Sequence, residues 1–290
     1  MGIQLDRIVF ASASVRVGAF RCPVDDPRFR DSGPIEQNLV VFPRRGVWIR
    51  QAGSRPIVAD PRVGTIYNRG RRYDRAAVSP DGDHSDWFGV APEVAVSLAR
   101  EIDARAGAEP ERAFRQETAP VDHHLYLRQR LLFLALERGA LEPLAAEEAV
   151  LSLVERVLRG AAGDSARHDP APSRGRTDLI EHAKAELARD LAAPTNMSTI
   201  SARLGASPSH ICRVFRQGTG LTLHAYRLDL RLRSALERLS SPSVSLSQLA
   251  AELGFSSHSH FTKTLRRRHG ITPMRCRSIL ARHSMAALPQ

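Results

Sequence analysis

Cysteine is scarce in this 290-residue sequence, with only Cys22, Cys212 and Cys276, far apart. No Cys-x-x-Cys pair occurs, so neither a zinc finger nor a disulfide framework is supported. No apolar run reaches the roughly 20 residues of a membrane span, and no signal peptide precedes Asp6 and Arg7. The expectation is a soluble, reduced, cytoplasmic protein. Catalytic signatures are lacking as well. There is no P-loop, no dinucleotide fingerprint and no Ser/His/Asp signature motif, so the sequence offers no catalytic residues and no cofactor. Lysine is nearly missing: Lys184 and Lys263 are the only two among 42 basic residues.

What is present is arginine, unevenly placed. The net charge is +11. Residues 176–290 hold 17 Lys+Arg against 7 Asp+Glu, whereas residues 1–175 hold 25 against 24. Arginine bias explains Arg in place of Lys but not this asymmetry. Basic charge confined to one part of a chain is the footprint of nucleic-acid binding. The length suggests about two domains. Residues 160–175 are small, polar and rich in Pro and Gly, which reads as a linker. The expected division is 1–160, a linker at 161–175, and 176–290.

The first part reads as α+β. Leu39–Phe42, Gly46–Ile49, Pro56–Ala59 and Val63–Tyr67 are short β-branched and aromatic runs bounded by Pro and Gly. Strands at this spacing suggest a small antiparallel barrel or jelly roll. Trp48, Tyr67, Trp87 and Phe88 are either its core or the lining of an effector cavity. A metal site needs clustered ligands, and residues 1–90 contain one histidine, His84. The run Asp81–Asp86 around it reads as a solvated turn, so no metal is expected. Residues 92–106 read as a helix. Two stronger helices follow at about 121–138 and 144–159, joined through Gly139 and Pro143, as an antiparallel hairpin. That hairpin is either a cap on the barrel or a dimer interface. His123 and His124 are helix neighbours and should point apart.

The second part is all α, and one pattern occurs twice. Ser245 and Gln248 form a capping pair, and Leu246, Leu249, Ala250 and Leu253 make one apolar helical face. Gly254 stops that helix, Ser257 caps the next, and Phe261 and Leu265 mark its buried side. Earlier, Met197, Ile200 and Leu204 line a short helix, Gly205 turns the corner, and Ser207–Pro208 start a second. Ile211, Val214 and Phe215 are its inward stripe, with Gly218 and Gly220 closing it. These are two helix-turn-helix patterns, at about 197–218 and 246–269. Thr177 is expected to cap a helix running to Leu191 before the first. Between the two lies an apolar-striped helix of about 18 residues, roughly 27 Å long, with Arg227, Arg231, Arg233 and Arg238 around it.

The Ala-x-x-Leu-Gly-Phe corner, the Ser-x-x-x-Phe helix, the basic run, Gly-Ile-Thr-Pro and Arg277 together resemble the signature of the AraC/XylS family of bacterial transcription regulators. The family has the same duplicated arrangement. One departure is Cys276, where the family usually carries an aromatic residue. The resemblance implies a cupin-like barrel in the first part, used for sensing or dimerisation. It also implies double-stranded DNA as partner, with RNA polymerase, a small-molecule effector and a second copy of the chain as further candidates. By the family pattern, Ser209, Cys212 and Arg213 face the major groove, and His258, Ser259 and Lys263 occupy the corresponding positions of the second motif. Arg213 is the strongest base reader, since a guanidinium can bind guanine O6 and N7 together. Arg216, Arg266 and Arg267 are expected on phosphates. The alternative is an enzyme or DNA-repair protein carrying such a DNA-binding module, which requires a reactive cysteine.

Overall fold

The computed structural model describes residues 5–31, 33–103, 110–167, 173–241 and 243–282. It divides into two compact units, Met1–Asp169 and Pro170–Gln290.

The first unit is α+β. Its strands are β1 (Asp6–Ala11), β2 (Val15–Cys22), β3 (Asn38–Pro43), β4 (Val47–Gln51), β5 (Ile57–Ala59), β6 (Val63–Tyr67), β7 (Tyr73–Ala77), β8 (Asp83–Val90) and β9 (Thr118–Pro120). They form two separate antiparallel sheets, ordered β1-β2-β8-β3-β6-β9 and β5-β4-β7. Among the described residues the strands do not close into one barrel. Helices α1 (Pro92–Ile102), α2 (His123–Glu137) and α3 (Pro143–Arg167) complete the unit. Asp122 caps α2, its carboxylate accepting from the Leu125 amide at 2.7 Å.

β8 corrects the expectation of a solvated turn at Asp81–Asp86. The turn, through Pro80 and Asp81, ends at Gly82, at φ 76°. From Asp83 the chain is a central strand paired to β2 on one side and β3 on the other. The polar letters misled because their charges are buried in pairs. Asp86 is fully buried and accepts from Arg44, Arg130 and, at 2.6 Å, Gln129 Nε2. Asp83 is buried against Arg75 at 2.9 Å. His84 between them is half-buried. Burial, with the charges of Arg21, Arg45 and Arg44, lowers it to about 4.

The helices differ at their ends. α1 stops at Ile102, where Asp103 turns extended; 104–106 lie outside the described residues. α3 continues to Arg167, through the first part of the expected linker. Ala161 and Ala162 are strong helix formers, and Ala161 is buried. Residues 168–172 of that linker lie outside the described residues. His123 and His124 do not point apart: their rings are 4.1 Å from each other. His123 opens α2, where no preceding turn restricts χ1.

The second unit is all helical: α4 (Arg174–Arg189), α5 (Met197–Leu204), α6 (Pro208–Thr219), α7 (Leu223–Leu239), α8 (Leu246–Glu252), α9 (His258–His269) and α10 (Pro273–Arg282). α4 begins after Ser173, so Thr177 sits inside it, its amide donating to the Ser173 carbonyl at 3.2 Å. α4, α5, α6 and the first half of α7 share one core, including Ile180, Ala183, Leu187, Ile211, Phe215 and Tyr226.

Candidate nucleic-acid interface

In the first motif, Asn196 starts α5 by accepting the Thr199 amide at 2.9 Å. Gly205 ends it in the left-handed conformation, φ 62°. Ser207 caps α6, with Pro208 at the first position. Ile211, Val214 and Phe215 are buried, and the Phe215 ring meets Tyr226 of α7 edge-on at 5.3 Å. That stripe turns Ser209, Cys212, Arg213 and Arg216 outward, and all four are exposed. Arg213 Nη2 lies 3.1 Å from His210 Nδ1, one turn back. Gly218 does not close the helix; it lies inside it, where a Cβ would come within 2.3 Å of Ile180. Gly220, at φ 71°, closes it.

The second motif repeats the plan. Ser245 accepts the Gln248 amide at 3.4 Å, and Ser257 the His260 amide at 3.0 Å. Phe261, Thr264 and Leu265 are buried, which leaves His258, Ser259, Lys263, Arg266 and Arg267 exposed. Arg277 of α10 donates to the Val244 carbonyl ahead of α8. Cys276 is fully buried, and burial pushes its thiol up to about 12, so the smaller residue packs as an apolar group.

α7 runs unbroken between the motifs for 17 residues. Three of its arginines are turned to structural use. Arg233 is fully buried and paired with Asp229 at 3.0 Å. Arg227 donates to the Asp190 and Ala193 carbonyls after α4. Arg231 donates Nε–H to the Leu191 carbonyl at 2.8 Å and Nη1–H to the Gly254 carbonyl at 2.7 Å. It thus ties the end of α4 to the corner of the second motif. Burial and the neighbouring Arg227 charge lower Arg231 to about 10, so it stays charged at neutral pH. Pattern reading missed this role, because a carbonyl clamp needs tertiary contacts that spacing does not encode.

Sorting the remaining cations separates two populations. Lys184 pairs with Glu181, Arg189 and Arg203 with Glu186, and Arg238 with Glu252. Arg176 donates to Gln217, which ties that outward α6 residue to α4. By contrast Arg213, Arg216, Lys263, Arg266, Arg267, Arg268 and Arg275 meet no carboxylate among the described residues. All seven lie on α6, α9 or the first turn of α10. Arg268 and Arg275 were not singled out from the sequence. Their signal was the basic run itself and the first turn after Thr272, whose hydroxyl caps α10 by accepting the Arg275 amide at 3.3 Å.

Residues 200–279 match the family model described as a helix-turn-helix domain. The C-terminal unit carries a helix-turn-helix domain. Over 82 residues the chain is 37% identical to the HTH-type transcriptional regulator GlxA of Rhizobium meliloti, covering 28% of this chain and 25% of that protein. Over 214 residues it is 23% identical to the uncharacterized HTH-type transcriptional regulator YfiF of Bacillus subtilis, covering 72% of this chain and 63% of that one. A transcriptional regulator with an AraC-type DNA-binding domain from Chromobacterium violaceum, solved by crystallography, is 29% identical at a TM-score of 0.32, covering 41% of this chain and 96% of that one. The chain spans less than two thirds of the length of these two curated relatives. Among the described residues no helix is long and apolar enough to cross a membrane, and no three His, Cys, Asp or Glu side chains gather as a metal site.

Proposed function

We propose that this protein is a sequence-specific, DNA-binding transcription regulator whose two helix-turn-helix motifs read adjacent major-groove segments. The observation that carries this is the sorting of charge. Most cations elsewhere in the C-terminal unit are consumed by carboxylates and carbonyls, Arg174 at the start of α4 excepted, whereas those on α6, α9 and early α10 are left for an outside polyanion. Ser209, Cys212, Arg213, His258, Ser259 and Lys263 are the base-reading set, and Arg216, Arg266 and Arg267 hold phosphates. Arg268 and Arg275 join the phosphate set. α7, about 26 Å long at 1.5 Å per residue, suits motifs set about 10 base pairs apart.

Residues 1–160, within the first unit, are the sensing or dimerisation domain. Its paired sheets support a cupin-like reading, and a cavity of about 370 Å³ between them supports a small-molecule effector. The α2–α3 hairpin is the candidate face for a second copy, and RNA polymerase is the partner that activation would require. The rival repair-enzyme reading needs a reactive thiol, yet Cys22 and Cys276 are buried with thiols raised by burial. Cys212 is exposed, but on the DNA-reading helix. A non-enzymatic regulator is therefore the better reading. Selecting bound DNA from a random pool tests it. The wild type should yield a two-box consensus. Arg213→Ala should cost about 1–3 kcal/mol at that site and relax preference at one base pair. An unchanged consensus would remove Arg213 from the reading set.

A further inference from the structure

The cavity in the first unit has a chemistry of its own. Its apolar walls include Leu39, Val41, Val47 and Ile49, and aromatic rings come from Phe20, Tyr67, Tyr73 and Trp87. Of the four aromatic residues open to either role, Tyr67 and Trp87 line it. Phe88 instead packs edge-on against Phe42 at 5.6 Å. The indole of Trp87 lies against β2 at Gly18, where a Cβ would come within 2.5 Å of its ring. Only glycine admits the ring there, so the wall is built rather than incidental.

The charged groups facing this space are unequal. Three carboxylates line it, Asp6, Glu36 and Asp83, against one guanidinium, Arg16. Asp83 is already matched by Arg75, which also donates to the Phe29 and Arg28 carbonyls and lies over the Phe20 ring at 4.6 Å. That leaves Asp6 and Glu36 against Arg16, one negative charge in excess. Asp6 is fixed at the indole edge, accepting from Trp87 Nε1 at 2.8 Å. Burial raises its carboxyl, opposed by that hydrogen bond and by the Arg75 charge. A carboxylate among aromatic rings can hold an ammonium: the carboxylate takes the N–H, and a ring face takes the remaining positive surface.

We propose that this cavity binds a small organic cation, an apolar or aromatic body carrying one protonated amine held by Asp6 and Glu36 against Trp87. The proposal rests on the reading of the first unit as a small-molecule sensor and names the ligand class. An anionic ligand would meet the excess negative charge with only Arg16 to receive it.

Three near-isosteric probes test it on the full chain carrying Trp48→Phe, so that Trp87 alone reports by fluorescence. They are 2-phenylethylammonium, 2-phenylethanol and 3-phenylpropionate. The ammonium should change Trp87 emission saturably and raise the melting temperature, since a ligand that binds the native state stabilises it. Asp6→Asn should weaken it about tenfold, the loss of one charge-assisted contact. Arg16→Ala should tighten it, a change of sign that general loss of structure would not produce. Equal or better binding of the alcohol or the carboxylate would overturn the cationic class while leaving the sensor reading in place. No response to any of the three would overturn both.

Discussion

The two helix-turn-helix motifs read alike in sequence but differ in how their corners are held. The first rests on apolar packing: α6 lies on α4, with Phe215, Ile211 and Gly218 against Tyr226, Leu187 and Ile180. Its corner, Gly205, stands in open space. The second motif's corner is enclosed. A Cβ on Gly254 would come within 2.8 Å of the Ala192 carbonyl oxygen and 2.5 Å of Arg231 Nη2. The outward charges differ too, Arg213 and Arg216 in the first, Lys263 and the run Arg266–Arg268 in the second. A duplicated pattern therefore preserves the local fold while the attachment diverges. Both copies bury an apolar stripe, and the second adds an arginine clamp on backbone carbonyls at its corner.

The sharpest break in that comparison is the pair Gly205→Ala and Gly254→Ala. Both residues have positive φ, 62° and 72°. An L-residue there costs about 1–2 kcal/mol. At Gly205 that is the whole penalty. At Gly254 the added methyl also displaces the clamp, and overpacking adds about 1–3 kcal/mol. Amide hydrogen exchange on the full chain should show α8 and α9 opening more readily in Gly254→Ala, with α5 and α6 unchanged. Equal effects at the two corners would mean that the clamp does not hold the second motif.

Arg231→Met is the next step down. It keeps most of the apolar stem and removes both donors. Losing charge-assisted bonds to the Leu191 and Gly254 carbonyls should cost about 1–3 kcal/mol, less where water replaces them. The two motifs should then read their boxes more independently. Sites with about 5 base pairs inserted between boxes, which put the second on the opposite side of the duplex, should lose less affinity in Arg231→Met than in wild type. An identical spacing penalty in both proteins would assign the coupling to α7 alone.

How much of this was legible in the sequence follows from where the determining forces lie. The caps Ser207, Ser245 and Ser257, the corners Gly205 and Gly254, and the stripes at Ile211–Phe215 and Phe261–Leu265 are local, so spacing revealed them. The exposed placement of Arg213, Lys263 and Arg266 followed from those stripes. β8 was not legible, because Asp83 and Asp86 are buried through Arg75, Arg44 and Arg130, partners 8 to 44 positions away. Arg231 was hidden for the same reason: its acceptors are backbone atoms 23 and 40 positions off. The extent of α3 was masked by Ala and Gly, which read as linker until Ala161 is seen buried. Long-range charge pairing, more than secondary structure, separates what pattern reading delivers from what coordinates add.

The smallest effects should distinguish the motifs by kind rather than size. If the cations of α9 and α10 hold phosphates, each releases about one counterion on binding. The slope of log affinity against log salt then falls by about 0.9 for every contact removed. Arg266→Ala, Arg267→Ala and Arg275→Ala should each lower the slope by roughly that amount, with equal loss on cognate and random duplexes, since a phosphate contact carries no sequence information. At moderate salt the affinity change should be well under that of Arg213→Ala. Arg213→Ala should instead lower discrimination between cognate and random DNA. The measurement is binding of the full chain across a salt series, on one selected site and one scrambled duplex of equal length. Loss of discrimination on Arg266→Ala would move that residue into the base-reading set. An unchanged slope in Arg275→Ala would place the first turn of α10 away from the duplex and confine the contact surface to α6 and α9.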